Sequence, residues 1–269
     1  MDIRRLARQI PAAGIALAAL LLVACGEDAP PPITVTAPTS TAQATAAATK
    51  ATTTAVQQAT STPQATAAAS RGCAPAPNPD TFLLRVVDKQ RGLPADYCPA
   101  DLQNIDDRWA VPGFPGQLMR APAAGPLVQL LTAAQAQGVE LRVRSSYRTY
   151  QEQARTFQFW IDQLGEAQAK RESAPPGNSE HQLGTTADVI SASIGWELII
   201  EFGATPEGKW LAAHAHEFGF AISYPPDGET ITGYIYEPWH IRYIGKGCST
   251  AWKASGQVLV QFLERAPSC

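Results

Sequence analysis

Between Ala29 and Ser70 the chain is built almost wholly of Ala, Thr, Pro, Gln and Ser, and Lys50 is its only charge. So few large apolar side chains cannot offset the backbone entropy lost on ordering. Residues 25–72 are therefore predicted to form a disordered tether, and any folded core must come from residues 73–269. That leaves about 200 residues, enough for one domain with a real core. As a flexible coil the tether would reach roughly 35–40 Å on average. The whole chain of 269 residues is 45% hydrophobic with a net charge of −3. Beyond the tether it carries 16 basic and 21 acidic groups, a net of −5. No basic stripe exists for a nucleic-acid partner, and none is expected.

Residues 1–24 read as an export signal. Arg4, Arg5 and Arg8 give the basic start, and Ile15 to Val23 form an apolar core too short for a comfortable membrane span. Leu22-Val23-Ala24-Cys25 resembles the lipobox of bacterial lipoproteins, and polar Gly26-Glu27-Asp28 follows directly. The resemblance implies cleavage before Cys25, a lipid anchor on it, and a place on the outer side of the bacterial cytoplasmic membrane, in the cell-wall space. Four further cysteines remain: Cys73, Cys98, Cys248 and Cys269. An even number in an exported domain argues for disulfides. Cys73–Cys98 and Cys248–Cys269 are the expected pairs, each flanking one end of the domain. No C-x-x-C pair is present, which disfavours a thiolate zinc site.

Residues 73–117 are rich in Pro, Asp and Gly and read as an extended lead-in with one short strand near Leu83–Val87. Residues 118–269 form the main domain with a C-terminal extension. Leu127–Gln137 is predicted helical, and Val139, Leu141 and Val143 alternate like a half-buried strand. Thr149-x-x-Glu152 has the capping-box form ahead of a helix with Tyr150, Ala154, Phe157, Ile161 and Leu164 on one stripe. Ala187–Ile190 is a strand, Thr205-Pro206 opens a helix that closes at Gly219, Phe220–Tyr224 alternates, and Tyr234–Tyr243 is the last strand region. Without a βαβ rhythm the fold class is α+β: a small antiparallel sheet flanked by helices, with a metal site in a cleft.

The chemistry rests on few residues. His181 and Asp188 stand seven apart, and His240 closes Glu237-Pro238-Trp239-His240. Two imidazoles and one carboxylate leave a tetrahedral zinc an open water position, the catalytic arrangement. Glu237, three residues from His240, is placed to contact the attacking water as a general base. In a regular strand positions 237 and 240 face opposite sides; a bend at Pro238 would bring both inward. The other histidines, His214 and His216, fall on a helix about 200° apart and cannot face one metal. Trp160, Trp196, Trp210 and Trp239 are read as core, with Trp239 the one expected at the cleft.

Ser179-x-His181-x-x-Gly184 with Asp188, followed by Glu237-Pro238-Trp239-His240-x-Arg242-Tyr243, resembles the zinc D,D-peptidase family, which includes the VanY-type D-alanyl-D-alanine carboxypeptidases. Ser146-Tyr147-Arg148-Thr149-Tyr150-x-x-Gln153 resembles the upstream motif of that family, and the likeness spans about residues 118–246. Thr186 departs from it, standing where the family has a small alanine. The resemblance implies one Zn2+ held by His181, Asp188 and His240, and Glu237 as general base. It implies Arg148 on the substrate carboxylate or the oxyanion, and Ser179, Gln153, Tyr147 and Trp239 as substrate contacts. It also implies peptidoglycan stem peptides ending in D-Ala-D-Ala as substrates. An L,D-carboxypeptidase or a stem-peptide endopeptidase of the same fold is the enzymatic alternative. A cell-wall binding lipoprotein without activity is the alternative of another kind. An intact ligand set with its base argues for an enzyme.

Overall fold

The computed structural model describes residues 83–265. The predicted signal, Cys25, the tether, Cys73 and Cys269 lie outside the described residues. Cys98 and Cys248 are both buried, and their expected partners are those two outlying cysteines.

The elements in chain order are β1 (Leu102–Asn104), β2 (Leu118–Arg120), α1 (Ala121–Ala136), β3 (Arg142–Ser145), α2 (Tyr150–Leu164), α3 (Glu166–Glu172), β4 (Thr186–Ile190), α4 (Pro206–His214), β5 (Phe220–Ile222), α5 (Glu229–Thr232), β6 (His240–Tyr243), α6 (Lys246–Ser255) and α7 (Leu259–Arg265). Strands β3, β4, β6 and β5 lie side by side in that order, all antiparallel, and β1 pairs with β2 in a separate two-stranded ribbon. This is the α+β arrangement expected. Among the described residues no helix is long and apolar enough to cross a membrane.

Alternation along β4 divides the sheet into two faces. Ala187 and Val189 enter the main core with Ile241 of β6 and Leu127, Leu130, Leu131 and Ala134 of α1. Thr186 and Asp188 take the other face, opposite Arg242 and His240 of β6. One side of the sheet thus holds the core and the other holds the chemistry.

Helix α2 begins as predicted. The Thr149 hydroxyl accepts from the Glu152 N–H at 3.2 Å, and the Glu152 carboxylate accepts from the Thr149 N–H at 2.8 Å. Its apolar stripe is only half-buried, however, and Gln153 is its one buried residue. The helix packs mainly on α3, as one of the walls of the cleft.

Three expectations fail. No strand forms at Leu83–Val87: the carbonyls of Leu83 and Arg85 accept from the Arg242 guanidinium and so are not offered to a ladder. The helix from Thr205 stops at His214 and tightens into a 3-10 turn over Ala215–Phe218. Strand β6 spans only His240–Tyr243, because residues 234–239 form a turn-bearing loop.

The boundary expected at residue 117 falls within the β1–β2 pair, in which Leu102 lies opposite Arg120. Arg120, fully buried, makes a two-pronged bond to Asp101 at 2.7 and 3.0 Å. Removing either partner would strand a buried charge, at a cost of about 3–5 kcal/mol. The Arg120 N–H also donates to the Gly184 carbonyl at 2.8 Å. Gly184 is left-handed at φ +74°, and a Cβ there would stand 2.9 Å from Arg120 Cγ. The lead-in and the loop bearing His181 are therefore packed as one piece.

Candidate active site

Asp188 and His240 face each other in register across β4 and β6. Directly paired positions put their side chains on the same face, so pairing alone brings two of the residues together. His181 arrives from a 3-10 turn over Glu180–Leu183, capped by the Ser179 hydroxyl, which accepts from the His181 N–H at 3.3 Å. Its Nε2 lies 3.2 Å from Asp188 Oδ2, and His240 Nδ1 lies 3.3 Å from Asp188 Oδ1. All three residues are buried, and their donor atoms lie within 4.8 Å of one another.

The bend expected at Pro238 exists as a tight turn, closed by the His240 N–H donating to the Glu237 carbonyl at 3.2 Å. It sets Glu237 Oε2 3.4 Å from His240 Nδ1. His214 ends α4 and His216 lies in the 3-10 turn after it, so the two do not share the one α-helix expected. His214 stacks on Trp210 and reaches Glu217, and neither histidine joins a metal-competent group among the described residues.

Hydrogen bonds outside the cluster show which ring nitrogens are free. His181 Nδ1 lies 2.7 Å from the Ser146 carbonyl, which can only accept, so the proton sits on Nδ1 and the Nε2 lone pair faces Asp188. The His181 lone pair, the His240 ring and the Asp188 carboxylate therefore meet at one point. That composition fits zinc held by His181, Asp188 and His240.

Charge points the same way. Burial acts against a protonated His240, yet its bonds to Asp188 and Glu180 and the charge of Glu237 outweigh this and push it up to about 10. Burial would raise Asp188, but the two histidines hold it well below the usual carboxylate range. Glu237 goes the other way: burial above all, then the charges of Asp188 and Glu180, push it up to about 8, against His240 and Arg148. A carboxyl tuned near neutrality is suited to taking a proton and giving it back.

These groups line a cleft with Arg148, Ser179, Trp160, Leu198, Tyr224 and Trp239. Arg148 is drawn down by burial and held up by Asp188 and Glu237, and its Nε is buried without an acceptor. It is a guanidinium waiting for an anion. Ser179 uses its oxygen as a cap and keeps its hydroxyl proton free to donate.

Two expected substrate contacts lie elsewhere. Tyr147 is buried in a cluster with Cys98, Leu102 and Leu118 rather than lining the cleft. Gln153 is buried and bonds the Ala174 carbonyl at 2.6 Å, so it reaches the cleft only through the loop it holds. Sequence reasoning gave no role to Glu180, whose one signal was its place beside His181. Thr186 is fully buried, and its hydroxyl has no partner among the described residues.

The family model for VanY, D-alanyl-D-alanine carboxypeptidase, matches residues 116–246. The protein YodJ of Bacillus subtilis (strain 168) is 39% identical over 189 residues, which cover 70% of this chain and 69% of YodJ. The solved LdcB LD-carboxypeptidase is 38% identical with a TM-score of 0.63, covering 72% of this chain and 90% of LdcB. A VanY D,D-pentapeptidase from a VanB-type resistance cassette, a glutamate-to-alanine mutant in complex with Zn(II), is 30% identical with a TM-score of 0.58. It is covered over 99% of its length, against 68% of this chain. VanYB in complex with D-alanine-D-alanine is 29% identical with a TM-score of 0.59, over 99% of its length and 69% of this chain.

Proposed function

We propose, for a chain that belongs to the VanY family of D-alanyl-D-alanine carboxypeptidases and is a zinc metallopeptidase, that the reaction is hydrolytic release of the C-terminal D-alanine from peptidoglycan stem peptides ending in D-Ala-D-Ala. The observation that carries this reading is the convergence of His181, Asp188 and His240 beside Glu237, in a cleft that also holds the unpartnered guanidinium of Arg148.

When bound, zinc supplies a Lewis acid for the attacking water and the scissile carbonyl. Glu237 takes a proton from that water as its oxygen joins the carbonyl carbon. It then gives the proton to the amide nitrogen as the C–N bond breaks, releasing free D-alanine and the shortened peptide acid. Arg148 holds the terminal carboxylate, since a fixed, always-charged fork of donors suits an anion at the closed end of a cleft. The Ser179 hydroxyl donates to the same end of the substrate, and Trp239 forms the wall beside it.

The role of Arg148 can be read from the substrate. Arg148→Ala is expected to lower kcat/KM on a free-acid peptide by roughly 10–100-fold, the worth of a charged hydrogen bond. On the same peptide with an amidated C-terminus, wild type and variant should be nearly equal. An equal loss on both peptides would place Arg148 on the oxyanion instead.

A second reading has its own support, because identity to LdcB is higher than to the VanY structures. An LD-carboxypeptidase also releases one D-alanine, but from a tetrapeptide in which an L-configured centre precedes it. Comparing kcat/KM on a pentapeptide ending in D-Ala-D-Ala with that on the matching tetrapeptide decides between them. A higher value on the tetrapeptide would replace the first reading by the second.

The same proposal places the enzyme outside the cytoplasmic membrane, tethered by residues 25–72 from a lipidated Cys25, with Cys73–Cys98 and Cys248–Cys269 disulfide-bonded. The intact mass of protein extracted from membranes reads both features. It should show a chain beginning at Cys25 with lipid added, and should rise by the mass of four hydrogen atoms on reduction, two for each disulfide. A mass without lipid, or one unchanged by reductant, would remove the corresponding feature.

A further inference from the structure

Glu180 stands next to one of the three clustered residues in sequence but serves the other in space. Its Oε2 lies 3.1 Å from His240 Nε2 and accepts from the Ser223 hydroxyl at 2.6 Å. Its Oε1 accepts from Arg242 Nη1 at 2.7 Å. Arg242 Nη2 donates to the carbonyls of Leu83 and Arg85, more than 150 positions earlier in the chain. Glu180 is 5% exposed and Arg242 fully buried. The ring of Tyr224 packs on His240 with centroids 4.7 Å apart, closing its face.

We infer that Glu180 is a positioning residue for the metal, fixing His240 with its proton on Nε2 so that Nδ1 is the coordinating atom, and that Arg242 and the backbone at residues 83–85 hold Glu180 in that position. A carboxylate paired with a guanidinium can only accept, so the imidazole nitrogen facing it must donate. A neutral imidazole has one N–H, and committing it to Glu180 leaves the Nδ1 lone pair directed at Asp188 and Glu237. Carboxylate partners of this kind orient a ligand and raise its basicity, and losing one typically costs roughly 10–100-fold in metal affinity. The lead-in thus belongs to the support of the metal site.

The inference rests on the zinc reading, and its test separates the two. Zinc affinity is measured on the full chain by competition with a chromogenic chelator, for wild type and Glu180→Gln, alongside thermal unfolding of the zinc-free forms. The expected result is a dissociation constant for zinc raised roughly 10–100-fold in the variant, with a lower unfolding temperature of its zinc-free form, because Gln leaves the buried Arg242 charge uncompensated. Wild type that takes up no zinc would sink the zinc reading itself. Wild type and variant of equal affinity would sink only the role of Glu180. Should Glu180→Gln fail to fold, long-range 15N–1H NMR of the zinc-loaded wild type decides on its own. A His240 ring protonated at Nε2 supports the inference, and one protonated at Nδ1 overturns it.

Discussion

Glu237→Ala is expected to keep one zinc per chain while kcat falls by roughly 10²–10⁴-fold, the range a positioned general base supplies. The expectation follows from geometry. Glu237 reaches the cluster from the loop before β6, with its Oε2 3.4 Å from His240 Nδ1, while three other side chains complete the metal set. Its removal takes away no ligand from that set. KM should change little, because the proposed mechanism assigns the terminal carboxylate of the substrate to Arg148 and not to Glu237. Zinc lost together with activity would make Glu237 a ligand, and unchanged turnover would remove it as the base.

His181→Ala is expected to do the opposite, losing zinc and activity together. Only Asp188 and His240 would remain from a set of three. Loss of a partner behind a ligand already costs roughly 10–100-fold in affinity, so loss of a ligand should cost more. Thermal unfolding separates the two variants without any substrate. Ligand binding to the native state adds about 4 kcal/mol at a thousandfold excess over the dissociation constant. Added zinc should therefore raise the unfolding temperature of Glu237→Ala as it does that of wild type, and leave His181→Ala unmoved. A zinc-induced rise in His181→Ala equal to that of wild type would contradict its place in the set.

Much of this site was legible in the sequence, for local reasons. The seven-residue step from His181 to Asp188 and the Glu237–His240 step each lie on one short segment, and strand pairing then needed only to join two segments. The capping box at Thr149 was readable because both partners sit within one turn. What escaped was non-local. Glu180, the partner of His240, is 60 positions away from it, and the carbonyls that hold Arg242 are more than 150 away. No periodicity records such distances. Leu83–Val87 shows a limit of local reading: strand formation depends on where the carbonyls find donors, and here the donor is the guanidinium of Arg242. Tyr147 came from a motif and not from a packing argument, and a motif does not record which neighbours, here Cys98, Leu102 and Leu118, enclose a side chain. The turn at Pro238 could be anticipated because proline is a poor ladder residue, even though the full extent of β6 could not.

Zinc-dependent release of a single terminal D-alanine is the reaction proposed for this site. The most direct measurement is mass spectrometry of a synthetic stem pentapeptide ending in D-Ala-D-Ala, and of its tetrapeptide, incubated with the protein, with the protein plus chelator, and with the chelated protein resupplied with zinc. The expected result is loss of one alanine from at least one of the peptides, abolished by chelator and restored by zinc. Both peptides left intact by correctly folded protein carrying stoichiometric zinc would contradict a carboxypeptidase role.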